Sequence, residues 1–528
     1  MTHTSPKKYA RRWLALLLPL CMFMAQAHQA HSQEIPEGPE IFQDAQAFND
    51  SEYDELGAAE LPGIEALEAQ DFVPFRAWDD PVPRGFGATL TSGLLASGYG
   101  LLKNTILMLY NTIVLDEWWT TPTASSIRRN FTVPWRWEVG DGFMVNYLGH
   151  PIQGMIYFGA GRATGFSFYG SIFFSVFGSV TWELMFEYAQ AAINDLFTTA
   201  PAGVSLGEMM FRLYLQAHAA GMPAFLTFLL SPSAALHRLV TRWEPPHVER
   251  NFYDFSFHLA AAYGNTDHHI SGDMIGGSHR EFFHSGPFAA AGFRIIYGDP
   301  FVQNTWVPYR HFEFSGTFGT DAFNHVDMRV FSDGYLFSFS PLHTDTQALS
   351  TGLSLHMDFA SIGLLDMFHA TINMYSNAIG WSVKYRHIFS PNISWRARAH
   401  ASFTFFGASN FYNHFVSERH EQMSYAYGVN LKHLSTLDIG TRSRIDLDNF
   451  FFFQWSYPNI NALSRGFVWW QFHDVSFSHM VSRNISLGAA FSFAMERGFF
   501  EGFPSTSKNY WSARTFVAWN GQSIRGGR

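Results

Sequence analysis

The residues most able to do chemistry lie between Asn146 and Glu208, where polar side chains recur at fixed intervals inside apolar stretches. Ser171, Ser175, Ser179, Glu183 and Glu187 follow one another at spacings of four, which on a helix makes one narrow stripe of small and acidic groups. Small residues at that spacing let helix backbones approach, and close packing accounts for the serines. It does not account for the two glutamates, because an unpaired carboxylate buried away from water costs several kcal/mol unless it finds a partner or a proton. The candidate partners are Arg162, His150, Arg212 and Asn146. The first reading is a structural ion pair of Arg162 with Glu183 or Glu187. The second is a catalytic or metal centre drawn from His150, Glu183, Glu187, Asp195 and Glu208, with a glutamate as general base and His150 as acid or metal ligand, Glu208 reading otherwise as a structural polar group. No pair of histidines on one helical turn and no cysteine pattern is present, so no metal and no cofactor is expected.

The elements that must position these groups are helical. From about Ala88 to Arg242 the pattern has helical period and small residues, with helices predicted over Leu94–Leu115, after His150-Pro151, over Phe166–Ile193 and over Met209–Leu239 around Pro223. Their hydrophobicity runs almost all round, so they must be buried in protein or membrane.

Beyond Glu244-Pro245-Pro246 the period changes to two. In Ile393–Phe405 the residues Ile393, Trp395, Ala397, Ala399, Ala401, Phe403 and Phe405 share one face, while Arg396, Arg398 and His400 share the other. Long alternating segments of this kind, repeated about 12 times between Phe252 and Trp519 with aromatics near their ends, indicate a transmembrane antiparallel β-barrel rather than a soluble sandwich of short strands. Asp333-Gly334 is placed as a tight hairpin turn. Arg396, Arg398, Arg442 and Arg444 are assigned to the lumen, because an arginine facing lipid at mid-bilayer would cost roughly 2–4 kcal/mol. Glu313, Asp358, Asp438 and Asp446 are the expected acidic partners.

The N-terminal residues read as an address. Lys7, Lys8, Arg11 and Arg12 precede an apolar run and Ala25-Gln26-Ala27, the pattern of a secretory signal peptide over residues 1–27. It holds Cys21, the single cysteine, so disulfides and thiolate metal sites are excluded from the mature chain. Loss of this segment would move the net charge from −10 to −14, which argues against a nucleic-acid partner. Residues 28–87 are rich in Glu, Asp, Ala and Pro and read as a largely disordered acidic linker, able to meet a basic envelope partner. The expected fold is therefore α+β: a signal peptide, this linker, a helical region over 88–246 and a barrel over 247–528. The expected setting is the outer membrane, with its lipid as the main partner; no motif speaks for an oligomer.

Asn146-Tyr147-Leu148-Gly149-His150-Pro151, Gly154, Tyr157, Arg162, the spaced serines, Trp182-Glu183, Glu187, Asp195-Leu196, Thr199, Gly203 and Gly207-Glu208 together resemble the bacterial family called domain of unknown function 3943, over about residues 110–210. Leu184-Met185 stands where that pattern has Tyr-Gly, and Thr199-Ala200-Pro201 spreads its Thr-Pro. The family has no assigned activity, so the resemblance implies a fold and an envelope setting but no reaction. The combined expectation is an outer-membrane barrel with a helical domain docked on, or plugging, its periplasmic mouth, in a structural, transport or binding role. The alternative is a membrane-associated hydrolase of lipid or envelope polymer.

Overall fold

The computed structural model describes residues 85–137, 143–271, 280–301, 304–321, 325–364, 371–410, 423–457, 465–501, 503 and 505–521. The expected signal peptide and nearly all of the acidic linker lie outside the described residues. Among the described residues seven α-helices come first: α1 Phe86–Ile113, α2 Ala124–Thr132, α3 His150–Ala163, α4 Phe168–Thr181, α5 Ile193–Ala219, α6 Ala224–Leu230 and α7 Pro232–Thr241. Local chemistry sets several ends. Thr123 and Ser126 form a reciprocal capping box at α2, Ser167 accepts from the Gly170 N–H at α4, and Pro151 sits in the first turn of α3, where its missing N–H is harmless. No helix among the described residues is long and apolar enough to cross a membrane.

Twelve antiparallel strands follow: β1 Phe252–Ser271, β2 Arg280–Tyr297, β3 Phe312–Thr320, β4 His325–His343, β5 Gln347–Leu364, β6 Thr371–Ser390, β7 Ile393–Asn410, β8 Met423–Ile439, β9 Ser443–Ser456, β10 Gly466–Met480, β11 Ile485–Phe500 and β12 Ser505–Asn520. Each pairs with its neighbour in sequence, and β12 returns to β1, so the sheet closes and leaves no edge. The connections after β4, β6, β8 and β10 are short turns at one end, the arrangement outer-membrane barrels use on their periplasmic side.

The expected turn at Asp333-Gly334 does not form. Strand β4 runs straight through it, pairing Asp333 with Glu313 on one side and with His356 on the other. Tyr309 explains the glycine: a Cβ at Gly334 would run into its ring, so the missing side chain serves a close approach rather than a turn.

The lumen is occupied. Near the loop end, Ile362, Met374, Phe450, Phe452, Trp470 and Tyr510 belong to one buried apolar cluster. Below it lies a cavity of about 150 Å³ lined by His258, Arg294, Arg329, Asp448, Asp474 and Arg514, among others.

The helices do not sit in the mouth. They pack on the outside of the wall, where Phe143, Tyr147, Phe158, Phe168 and Met209 share a single core with Tyr297, Phe312, Val330, Phe359, Tyr375, Phe406 and Tyr425, which point outward from β2 to β8. Trp137 stacks against Phe197 and Phe406 at centroid distances of 6.2 and 6.3 Å, and Tyr147 meets Tyr375 at 4.8 Å. Every large side chain buried this way contributes roughly 1.5–3 kcal/mol, and the broad aromatic wall offers apolar helices far more such area than a barrel mouth does. One polar contact is built on a proline. Pro201 lies inside α5 and lacks the N–H that would bond the carbonyl of Phe197, and Asn377 of β6 donates its Nδ2 to that carbonyl at 3.2 Å.

Candidate functional site

Helices α3 and α5 cross at their glycines. A Cβ on Gly154 would collide with the Thr199 carbonyl, and one on Gly203 with the Gly154 backbone, so the two helices touch main chain to main chain. This approach places His150 Nδ1 2.9 Å from Thr199 Oγ1 and His150 Nε2 3.8 Å from Asp195 Oδ1. Asp195 also accepts from Asn194 Nδ2 at 2.7 Å. All three members of the hydroxyl, imidazole and carboxylate chain are buried. Burial, with the positive Lys103 adding to it, pushes the imidazole down to about 3, so His150 is neutral at physiological pH. Asn146, four residues before it, is fully buried, and its amide atoms have no hydrogen-bond partner among the described residues.

The serines of the sequence stripe lie against α3 and α5. Ser175 Oγ lies 3.4 Å from the carbonyls of Gly154 and Ala200, and Ser171 packs on Gly161. The stripe ends with them. After α4 the chain makes one wide turn over Trp182–Phe186, which breaks the four-residue phase and gives the two glutamates different partners. Glu183 Oε2 accepts from the Ala192 N–H at 2.8 Å, at the start of α5, where negative charge is favoured. Glu187 Oε1 accepts from Trp182 Nε1 at 2.5 Å.

Neither glutamate takes Arg162. Glu208 does, at 2.8 Å from Arg162 Nε, and the same carboxylate holds Arg212 Nε at 2.8 Å. The reason is geometric: Arg162 closes α3 on the side facing the middle of α5, whereas Glu183 and Glu187 lie near the beginning of α5. Arg212 then donates to the Pro308 carbonyl at 2.8 Å, which ties this Arg–Glu–Arg group to the connection between β2 and β3.

Sequence reasoning missed Lys103, and had Tyr157 only as part of the family resemblance and not as its partner. Lys103 Nζ donates to Gln153 Oε1 at 2.7 Å and to Tyr157 OH at 3.0 Å, and lies over the rings of Tyr157 and Trp182. Burial lowers this lysine well below its ordinary range, with Glu187 opposing the shift, and raises the Tyr157 phenol. Tyr157 in turn donates to Asn104 Oδ1. The available signal was a lone cation in an otherwise uncharged helical stretch.

In the barrel, Arg396, Arg398 and Arg444 lie on the lumen side. Arg398 meets Glu313 at 2.6 Å, and Arg396 and Arg444 share Asp254 and Asp438 at 2.8 to 3.5 Å. Arg442 is a correction: it is exposed in the turn after Gly440, whose positive φ has already ended β8, and the alternating register resumes only at Ser443. Other pairs cross the interior, including Arg294 with Asp448 at 2.8 Å, Lys384 with Glu313 at 2.8 Å and Asp333 at 3.0 Å, and Lys432 with Asp358 at 2.5 Å. His268 and His284 lie in β1 and β2, and His284 Nε2 is 3.0 Å from Asp321. No group of three or more potential metal-binding side chains occurs among the described residues.

The family described as Domain of unknown function (DUF3943) matches residues 134–233, beginning and ending about 20 residues later than the resemblance read from the sequence. No curated protein matches the chain. Among solved structures, the NanC porin is 11% identical, covering 49% of this chain and 98% of that one at a TM-score of 0.25. The toluene transporter TodX of Pseudomonas putida is 8% identical over 51% and 89% at 0.21, and the KdgM porin 10% identical over 49% and 99% at 0.21. The protein thus joins a segment resembling domain of unknown function 3943 to a closed antiparallel barrel of twelve strands.

Proposed function

We propose that this protein is an outer-membrane barrel that does not conduct, and that its role is to hold the helical domain against its wall as a structural or binding element of the envelope. The observation that carries this reading is the interior: cationic side chains there meet carboxylates, and a buried aromatic cluster fills the loop end. A selective pore needs charges that face water and an unbroken path. The outward belt of Leu259, Trp381, Phe403, Leu431, Phe477 and Val517 supplies the lipid contact. Export follows from the signal peptide read at residues 1–27, and the acidic segment after it is the surface for a basic envelope partner. Outer-membrane fractionation, heat-modifiable migration and planar-bilayer recording test the proposal together. The expected result is a folded outer-membrane species with no conductance steps. Anion-selective steps that fall when Arg396 and Arg398 are replaced by Ser would replace it with a channel.

A second reading, a lipid or envelope-polymer hydrolase, draws on the Thr199, His150 and Asp195 chain, whose order is that of nucleophile, base and orienting acid. It is the weaker one. An imidazole held neutral down to about pH 3 is a poor proton acceptor, the chain is sealed between backbones in contact, and the cavity lies in the barrel. Hydrolysis of a short-chain ester that disappears in Thr199→Val would restore it.

A further inference from the structure

The helical domain is built inside out. The only charged residue in the 28 positions of α1 is Lys103, and its ammonium is turned inward onto Gln153 and Tyr157. The outward face of the same helix carries Leu90, Leu94, Leu102, Ile106, Leu109 and Ile113, with Leu94 66% exposed and Ile113 73% exposed. Helices α4 and α6 contain no charged residue, yet Tyr169, Phe173 and Phe225 are more than half exposed. In α3 and α5 the charged side chains Arg162, Asp195, Glu208 and Arg212 are all buried. A helix bathed in water shows the opposite arrangement, with charge outside and apolar groups within. Within the helices, charge of the solvated kind is confined to α2, with Arg128 and Arg129, and to the end of α7, where Arg238 pairs with Glu244.

This surface continues the outer wall of the barrel. On β6, β7 and β8 the outward positions Tyr375, Phe406 and Tyr425 are covered by the helices, while Trp381, Phe403 and Tyr427, a few residues along the same strands and on the same face, are exposed. The covered and uncovered parts therefore form one apolar face, and whatever solvates the uncovered part reaches the helices at its border.

We infer that the outward face of α1, α4 and α6 is solvated by the acyl chains of the bilayer, so that the helical domain lies sideways in the membrane along the barrel wall. The inference rests on the barrel being membrane-embedded, as proposed above. No helix has to cross the bilayer alone, because the backbone polar groups of each are satisfied internally and the wall covers the other side.

The test uses spin labels on the full chain carrying Cys21→Ser, reconstituted in phosphatidylethanolamine and phosphatidylglycerol vesicles. Labels are placed singly at Leu94→Cys and Phe173→Cys, with Phe403→Cys on the barrel belt and Arg442→Cys in the exposed turn as references, and heat-modifiable migration confirms that each variant folds. Collisions with oxygen, which concentrates in lipid, are compared with collisions with a water-soluble nickel chelate. The expected result is that Leu94 and Phe173 match Phe403, with oxygen-to-nickel ratios severalfold above that of Arg442. Ratios like that of Arg442 at Leu94 and Phe173, with Phe403 still in lipid, overturn the inference and leave the barrel reading intact. Shielding of both labels from both reagents means that a second copy or a protein partner covers the face, and also overturns it. A water-like ratio at Phe403 removes the membrane barrel and this inference together.

Discussion

The helical domain and the barrel lumen both bury many charged groups, but they neutralise them differently. In the lumen, carboxylates and cations are shared in overlapping sets across the interior, as where Glu313 serves both Lys384 and Arg398 beside Asp333. In the helical domain the contacts form small groups isolated from one another, each dedicated to its own members. Glu208 binds two arginines, Glu183 holds the start of α5, and Lys103 rests on neutral oxygens and aromatic rings. A shared network tolerates the loss of a member because neighbours and cavity water can respond. A dedicated contact leaves its partner buried and uncompensated.

This contrast orders the expected effects. Glu208→Gln should be the most damaging change, because two buried guanidiniums lose their counter-charge; a loss of about 3–5 kcal/mol is expected, read as a fall in the urea midpoint of the reconstituted protein and as protease sensitivity of the helical domain. Glu313→Gln also removes a carboxylate from two cations, yet should cost clearly less, because Asp333 stays 3.0 Å from Lys384. Equal losses would break the comparison.

Next comes Gly154→Ala, whose new methyl meets the Thr199 carbonyl with only backbone to yield. Forcing extra volume into a close-packed contact costs roughly 1–3 kcal/mol. The same change should separate His150 from Thr199, seen as a shifted imidazole resonance.

The pH dependence follows from His150. Its folded value, about 3, lies below the ordinary value of 6.5, so between these limits the unfolded chain binds the proton more readily than the folded one. Its contribution is complete above about pH 6.5 and is lost as the pH falls toward 3, at up to about 1.4 kcal/mol per pH unit. Urea midpoints at pH 7.5 and 5 should show roughly 2 kcal/mol lost, and His150→Gln should flatten that slope. The smallest effect is expected at Arg442→Ala, within about 0.5 kcal/mol as for exposed positions generally; Arg444→Ala two residues on should cost more than that but far less than Glu208→Gln, because Arg396 still holds Asp254 and Asp438.

The barrel was legible because its signal is periodic and repeated. The alternation of Ile393–Phe405 carries its own register, and that register places Arg396 and Arg398 on the inner face. It failed at Arg442, where a turn interrupts the alternation, and at Gly334, where a tight packing contact looks in sequence like a hairpin signal. The helical site was legible as a set of residues and not as a set of partners. Spacing by four assumed one uninterrupted helix through Glu187, and the wide turn at Trp182–Phe186 removed that assumption. Lys103 lies 84 positions before Glu187, and no local pattern links residues that only tertiary packing brings together. The place where the helices dock was equally hidden, because outward aromatics such as Tyr375 and Tyr425 have the same alternation whether they meet lipid or protein, and Phe406 faces outward only through a bulge after Thr404.

The docking of the helices on the outer wall separates this account from a plugged or capped barrel, and one cross-linking measurement addresses it. In the full chain carrying Cys21→Ser, cysteines are placed at Phe197 and Phe406, whose rings stack at 5.7 Å, or at Phe197 and the lumen residue Phe452. With a short thiol-to-thiol reagent, the first pair should link efficiently in the folded protein and the second should not. Efficient linkage of Phe197→Cys to Phe452→Cys, with none to Phe406→Cys, would put the helices inside the barrel and contradict the account.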